Sequence, residues 1–459
     1  MSEVRSRLAQ SALRGPPRLR RVLRLHDLIF YGIVIIQPIA PVPIYGIAQE
    51  LSRGHAVTTI LVAGIAMMLT AFSYGRMAAL YPLAGSAYSY VGRGLNPHLG
   101  FLAGWAMSLD YLVLPIVAII QAFLTVQRLL PAIPYSAWVT FFVLVLTAIN
   151  LLGVRTTART NIGLLFAMFV VIGAFLILAI GYLVHGQGMR SVFSIQPFYD
   201  PGTFQLRAIA TATSFAALTY IGFDGVTTLA EEVDNPRRNI LLATVLTCVF
   251  TTLFSCLLVY LAQRVWPDYH TFPNIETAFM DVTRTVGGAT LFRGMGAVIM
   301  LGSLGSGLSG QVAAARLLFG MGRDNVLPRK VFGYLDPARN NPTFNVIFVG
   351  LLALMGSLLF DLERAGELLN FGAFLAFMGV NLAAVRQYYF IKSRTQERHL
   401  IGDALVPALG FVFCLGMWLS LPLVAKIVGS LWFAVGLAYN AFRTRGFRTR
   451  PVMIDFSDS

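Results

Sequence analysis

Residues 214–233 read SFAALTYIGFDGVTTLAEEV. Two glycines, Gly222 and Gly225, bracket Asp224 in a stretch otherwise apolar enough for lipid. Glycine inside a helix costs ~1 kcal/mol against alanine. A carboxylate at the centre of a membrane helix costs about 2.5–3.5 kcal/mol on insertion scales. Non-helical backbone at membrane depth survives only where protein buries it or a watery cavity meets it. The stretch therefore predicts a spanning helix that comes apart partway, with Asp224 facing a cavity.

The rest of the chain supplies the membrane context. Of 459 residues, 56% are hydrophobic and 12% charged, about half the charged fraction of a soluble protein. A span needs about 20 apolar residues. Twelve such windows are expected, at 27–47, 56–80, 100–127, 135–152, 162–184, 208–231, 240–262, 289–315, 343–360, 366–388, 404–424 and 428–442. They predict one transmembrane domain over 27–442, between a basic tail (1–26) and a C-terminal tail (443–459). Arginines run up to Arg24 with no small-residue cleavage site after a short apolar core, so no cleavable signal is expected. With both ends placed in the cytoplasm, 26 of the 35 Lys and Arg fall on the inner side, the bias that orients membrane proteins. The net charge of +14 is thereby spent on topology, and no nucleic-acid partner is expected. The basic segment RLRRVLRLHDL at 18–28 is expected to lie on the anionic inner leaflet. Cys248, Cys256 and Cys414 fall within spans and form neither a disulfide framework nor a metal site.

Span 1, YGIVIIQPIAPVPIYG over Tyr31–Gly46, carries a second break. Pro38, Pro41 and Pro43 each remove a backbone donor and block a helical turn. The two breaks lie five spans apart, and a repeat of five spans must be inverted across the membrane. Broken helices at matching places in two inverted halves point to a transporter's midplane site. Repeat A is expected at about 27–184 and repeat B at about 208–388, with spans 11 and 12 appended at about 404–442. Asp110 is the other acid deep in a span, about 15 Å from the cytoplasmic end of span 3. No Lys or Arg lies at the depth of Asp110 and Asp224, so their partner is expected from outside the chain: a cationic substrate, a coupling ion or a proton.

These segments resemble the amino acid–polyamine–organocation permeases. YIGFDGVTTLAEEVDNPRRNI is similar to their span 6 and following loop, SYGRMAALYPLAGSAYSYVGRGLNPHLGFLAGW to their span 2–3 loop, and RLLFGMGRDNVLPRKVFGYLDP to their span 8–9 loop. GWAMSLDYLVLP, GSGLSG and NFGAFLAF resemble bacterial putrescine importers most. The resemblance implies an all-α integral membrane protein, a LeuT-like 5+5 inverted repeat with broken helices 1 and 6 plus two extra spans, twelve in all. It implies that Asp224, Tyr220 and Gly222 face substrate at the span 6 break, and that Asp110 and Tyr111 form a span 3 pair. The chain departs where those importers carry an acid in the span 1 break and this one has Pro43, and Ala167 stands where some proton-coupled members have a lysine.

Three prolines delete donors that could hold an α-carboxylate, whereas Asp110 and Asp224 suit the two charges of a diamine, with Tyr111, Tyr220 and Phe223 offering cation–π faces. The expected function is import of putrescine or a related polyamine across the inner membrane. The alternatives are a permease for neutral or cationic amino acids and a transporter-like nutrient sensor. Gln37 and Pro38 at the span 1 break complete the expected substrate site. Ser303 and Ser306 are candidate coupling-ion ligands, their hydroxyls suited to a sodium ion between spans 1 and 8, while a proton is the preferred coupling ion overall; Glu231 and Glu232 are candidate inner gates. The GxGxxG at Gly305, Gly307 and Gly310 lies inside an apolar span and reads as helix packing, not as a dinucleotide site. No catalytic cluster, cofactor or metal site is expected; bilayer, cationic substrate and coupling ion are the expected partners. The sequence leaves oligomeric state open.

Overall fold

The computed structural model describes residues 23–82, 86–152, 155–230, 233–323, 327–336, 341–391 and 399–449. Among the described residues the chain is helical, with two isolated bridges and no strand. Ten helices among the described residues are long and apolar enough to cross a membrane, and Leu25–Ile36 and Thr343–Leu359 are shorter apolar helices.

The first window is interrupted as its prolines require. Helix α1 (Leu25–Ile36) stops at Gln37, whose φ is +65°. Residues 38–44 make turns in which the Ala40 N–H donates to Gln37 O (3.0 Å) and the Val42 N–H to Ile39 O (2.9 Å). Helix α2 (Tyr45–Ser52) resumes the path and ends at Arg53 in a left-handed conformation. Then follow α3 (Ala56–Leu80), the short α4 (Ser86–Gly94) and α5 (Pro97–Leu129). Asn96 caps α5 by accepting from the His98 N–H at 2.8 Å, with Pro97 in the first turn, where its missing donor costs nothing. After α6 (Tyr135–Leu152) and α7 (Arg155–Gln187), α8 (Leu206–Ala216) tightens into a 3-10 turn to Tyr220. The path breaks at Ile221 and Gly222 and continues as a 3-10 segment, Phe223–Leu229. The remainder is α9 (Pro236–Val265), α10 (Ala278–Arg323, kinked at Gly288), α11 (Thr343–Leu359), α12 (Leu362–Val385), α13 (Val406–Ser420) and α14 (Leu423–Arg443).

The part of α10 past the Gly288 kink opens at Ala289, where the eighth window was expected, and a shorter helical stretch from Ala278 precedes it. Asp281, Thr283 and Arg284 dilute its hydropathy, yet Asp281 is buried and paired with Arg128 at the end of α5. Burial sorts the helices. The apolar windows of α5 and α12 are 78% buried, against 28% for α6 and 22% for α14, so α5 and α12 form the core and α6 and α14 the rim.

Three attachments fix the outer elements. The indole N–H of Trp105 donates to Trp432 O (2.9 Å), that of Trp432 to Trp105 O (3.0 Å), and the rings stack at 5.0 Å, clipping α14 to α5. Arg76 of α3 pairs with Asp403 (2.5 Å) in the π-turn before α13, donates to Gly402 O (2.6 Å) and lies 3.6 Å over the Tyr388 ring. At the N-terminal end Leu23 forms a bridge with Val233, and the Asp234 N–H donates to Leu23 O at 2.9 Å.

Candidate functional site

The two breaks meet at Ile35, near the end of α1. Gly222 has a φ of +106°, open to glycine and costly for other residues, and the space a side chain would take there is filled by Ile35 Cγ2. Gly225 lies under the same residue, and a methyl on it would sit 2.9 Å from Ile35 Cδ1. The break thus occupies Ile221–Gly222, while Gly225 serves close packing inside the following turn.

Asp224 sits just past the break, 5% exposed. Its Oδ2 accepts from Ser86 Oγ at 3.2 Å, and the backbone N–H groups of Asp224 and Gly225 also donate to the carboxylate. The Thr227 hydroxyl donates to Asp224 O at 2.7 Å and braces the turn. Asp110, midway along α5, is 3% exposed, and its Oδ1 is buried with no hydrogen-bond partner. The two acids lie within electrostatic range of each other, and Tyr111 within range of both. No Lys, Arg or His of the described residues acts on either acid. Two charged carboxylates without a compensating cation are costly to bury, so charge on the pair calls for either a proton or a cation from outside the chain.

Aromatic rings wall one side of it. Phe223 lies 5.5 Å from Tyr74 and 5.2 Å from Phe377, and Tyr74 lies 5.9 Å from Tyr90, centroid to centroid. All four are fully buried. The Tyr74 hydroxyl faces Ser86 and that of Tyr90 faces Thr227, neither closing a well-aligned hydrogen bond.

The structure therefore brings together Asp110, Tyr111, Gly222, Phe223 and Asp224. Gln37 and Pro38 lie in the span 1 turn, where Gln37 Nε2 donates to Gly302 O (3.1 Å) and docks the turn on α10. Tyr220 stands on the scaffold side, its hydroxyl donating to Ile60 O of α3 at 2.8 Å. Ser303 donates to Gln121 Oε1 of α5 (3.2 Å), and Ser306 is half-buried. Glu231 and Glu232 lie outside the described residues. Sequence reasoning missed Ser86, Tyr74, Tyr90 and Phe377. Ser86 reaches Asp224 across 138 residues, a pairing with no local signal. Among the described residues no group of three or more His, Cys, Asp or Glu could hold a metal ion.

The family model for amino acid permeases matches residues 41–442. The low-affinity putrescine importer PlaP of Escherichia coli is 32% identical over 431 residues, 94% of this chain and 95% of that protein. A methylthioribose transporter of Bacillus subtilis is 27% identical over 91% of this chain and 92% of its own length. Among solved structures, a manganese transporter mutant from Eremococcus coleocola superposes with a TM-score of 0.54 at 13% identity, covering 93% of this chain and 96% of that one. That likeness is one of fold. Together with the spanning helices, these matches make the chain a member of the amino acid permease family, a multi-pass membrane protein of the amino acid and polyamine transporter class.

Proposed function

We propose that the protein is a secondary active importer of a small cationic amine, putrescine or a related polyamine, working by alternating access around Asp110 and Asp224. The observation that carries this reading is the buried Asp110 Oδ1, unpartnered and in range of Asp224 with no basic side chain beside either. An incoming ammonium supplies the missing charge, and the Tyr111 and Phe223 rings offer it π faces. The putrescine-importing relative supports the same substrate class. Twelve spans in a 5+5 inverted repeat plus two, with both tails cytoplasmic in the inner membrane, accommodate the two breaks and the distribution of arginines. In that scheme Asp224 and Asp110 hold substrate and Gln37 fixes the span 1 turn. Ser303 and Ser306 would serve a sodium site if sodium drives uptake, a proton being the favoured coupling ion, and Glu231 and Glu232 belong to the inner gate.

A second reading, a permease for neutral or cationic amino acids, is favoured by the family model. It has to hold an α-carboxylate beside a turn whose Pro38, Pro41 and Pro43 lack N–H donors. Uptake into proteoliposomes with labelled putrescine and an amino acid panel, under an imposed pH or sodium gradient, separates the two. Competition by unlabelled putrescine and dependence on the proton gradient are expected. Competition by leucine or glycine, with none by putrescine, overturns the amine reading.

A further inference from the structure

A small cavity borders the span 1 turn, and Leu124, Phe279, Met280, Ile299 and Leu362 give it a mostly apolar wall that a few polar groups interrupt. Val42 and Pro43 of the span 1 turn, Gln121 and Thr125 of α5, and Glu276 and Thr277 ahead of α10 line it. Its interior has room for about one water-sized group, which is also the size of an ammonium head. Thr277 is 7% exposed, and its hydroxyl is buried without a hydrogen-bond partner. The Thr125 hydroxyl donates to Gln121 O, so its lone pairs stay available. Glu276 has Asp361, not a base, as its charged neighbour. Glu50 and Glu363 add negative charge to the same region, against Arg364, which is already paired with Asp361 at 3.3 Å.

We infer that this cavity is a second ammonium site, on the outer approach to the acid pair, in which Glu276 supplies the charge and Thr277 and Thr125 accept hydrogen bonds. The inference rests on the amine-importer reading and adds to it a place where one end of the substrate is held before it reaches Asp110 and Asp224. Carboxylates around a low-dielectric opening concentrate cations and speed their entry. The span 1 turn borders this cavity through Val42 and Pro43, and Ile35, just ahead of the same turn, packs on Gly222 and Gly225 on either side of Asp224.

The test is the initial rate of labelled putrescine uptake into proteoliposomes, at equal amounts of folded transporter, for wild type, Glu276→Gln, Glu276→Asp and Thr277→Val. Glu276→Gln is expected to raise KM about fivefold with Vmax little changed, as an interaction of about 1 kcal/mol implies when 1.4 kcal/mol is tenfold. The effect should shrink as salt rises. Glu276→Asp should recover most of it, and Thr277→Val should raise KM in the same direction. An unchanged KM in Glu276→Gln overturns the site, as does a change confined to sodium dependence. A wild-type protein that moves no putrescine overturns the importer reading itself, and that result needs no variant.

Discussion

Adding one methyl at Gly222 strikes the point where both broken helices meet, and its cost follows from two separate terms. The backbone there has a φ of +106°, and a left-handed conformation costs a non-glycine residue about 1–2 kcal/mol. The new methyl also collides with Ile35 Cγ2, and overpacking of this kind costs about 1–3 kcal/mol. Gly222→Ala is therefore expected to destabilise by about 2–5 kcal/mol, the sum of those ranges. Gly225→Ala is the control. Its methyl meets the same isoleucine, but at 2.9 Å from Cδ1, the far end of a flexible chain, and Gly225 has no positive φ. Its expected cost is under about 1 kcal/mol. Thermal unfolding in detergent, read alongside uptake, should show Gly222→Ala several degrees below wild type and Gly225→Ala close to it. A cycle with Ile35→Ala isolates the collision: that change should recover part of the Gly222→Ala loss and leave the backbone term. Equal losses at the two glycines, or full recovery by Ile35→Ala, would refute the backbone argument.

Asp224→Asn should abolish uptake while the protein stays inserted and folded, since the amide keeps the Ser86 contact but loses the charge; unchanged uptake removes Asp224 from the site. Asp110→Asn should raise KM by about tenfold, on the scale of 1.4 kcal/mol per decade, and a loss of expression with normal KM would make Asp110 a structural acid. At the α3–α13 attachment, Asp403→Asn should destabilise by about 1–3 kcal/mol because it strands Arg76, whose partner is 2% exposed. A double-mutant cycle with Arg76→Met should then show strong coupling, and additive losses would count against the pair.

Much of this arrangement could be read from composition and from the chain breakers. Lipid selects long apolar runs, and proline and glycine disrupt helices wherever they stand, so the span 1 and span 6 interruptions have local causes in Pro38, Pro41, Pro43 and Gly222. The depth of Asp110 and Asp224 follows from helical rise alone. Long-range closure was not legible. Ser86 lies beyond the end of α3, and only the tertiary fold carries it to Asp224. Phe377 and Tyr74 look like ordinary apolar filling until their rings are found around Phe223. The helical stretch ahead of the Gly288 kink escaped hydropathy because Asp281 is offset by Arg128 from another helix, a compensation no window average contains. Tyr220 shares its neighbourhood in the chain with Asp224, yet the turn between them sends its hydroxyl to Ile60.

The stitch between Leu23 and Val233 has a mechanical consequence. It ties the chain just ahead of α1 to the chain just ahead of α9, so the short rod Leu25–Ile36 is tethered at its N-terminal tip and ends at the break at Gln37. Swinging that rod away first requires peeling the Asp234–Leu23 hydrogen bond, worth about 0.5–1.5 kcal/mol, within reach of thermal motion. In the proposed importer, opening at this end starts at the tail's junction with the bundle, well away from the carboxylates, and must also part Gly32 of the rod from Thr247 and Val226 and uncover the buried Leu28.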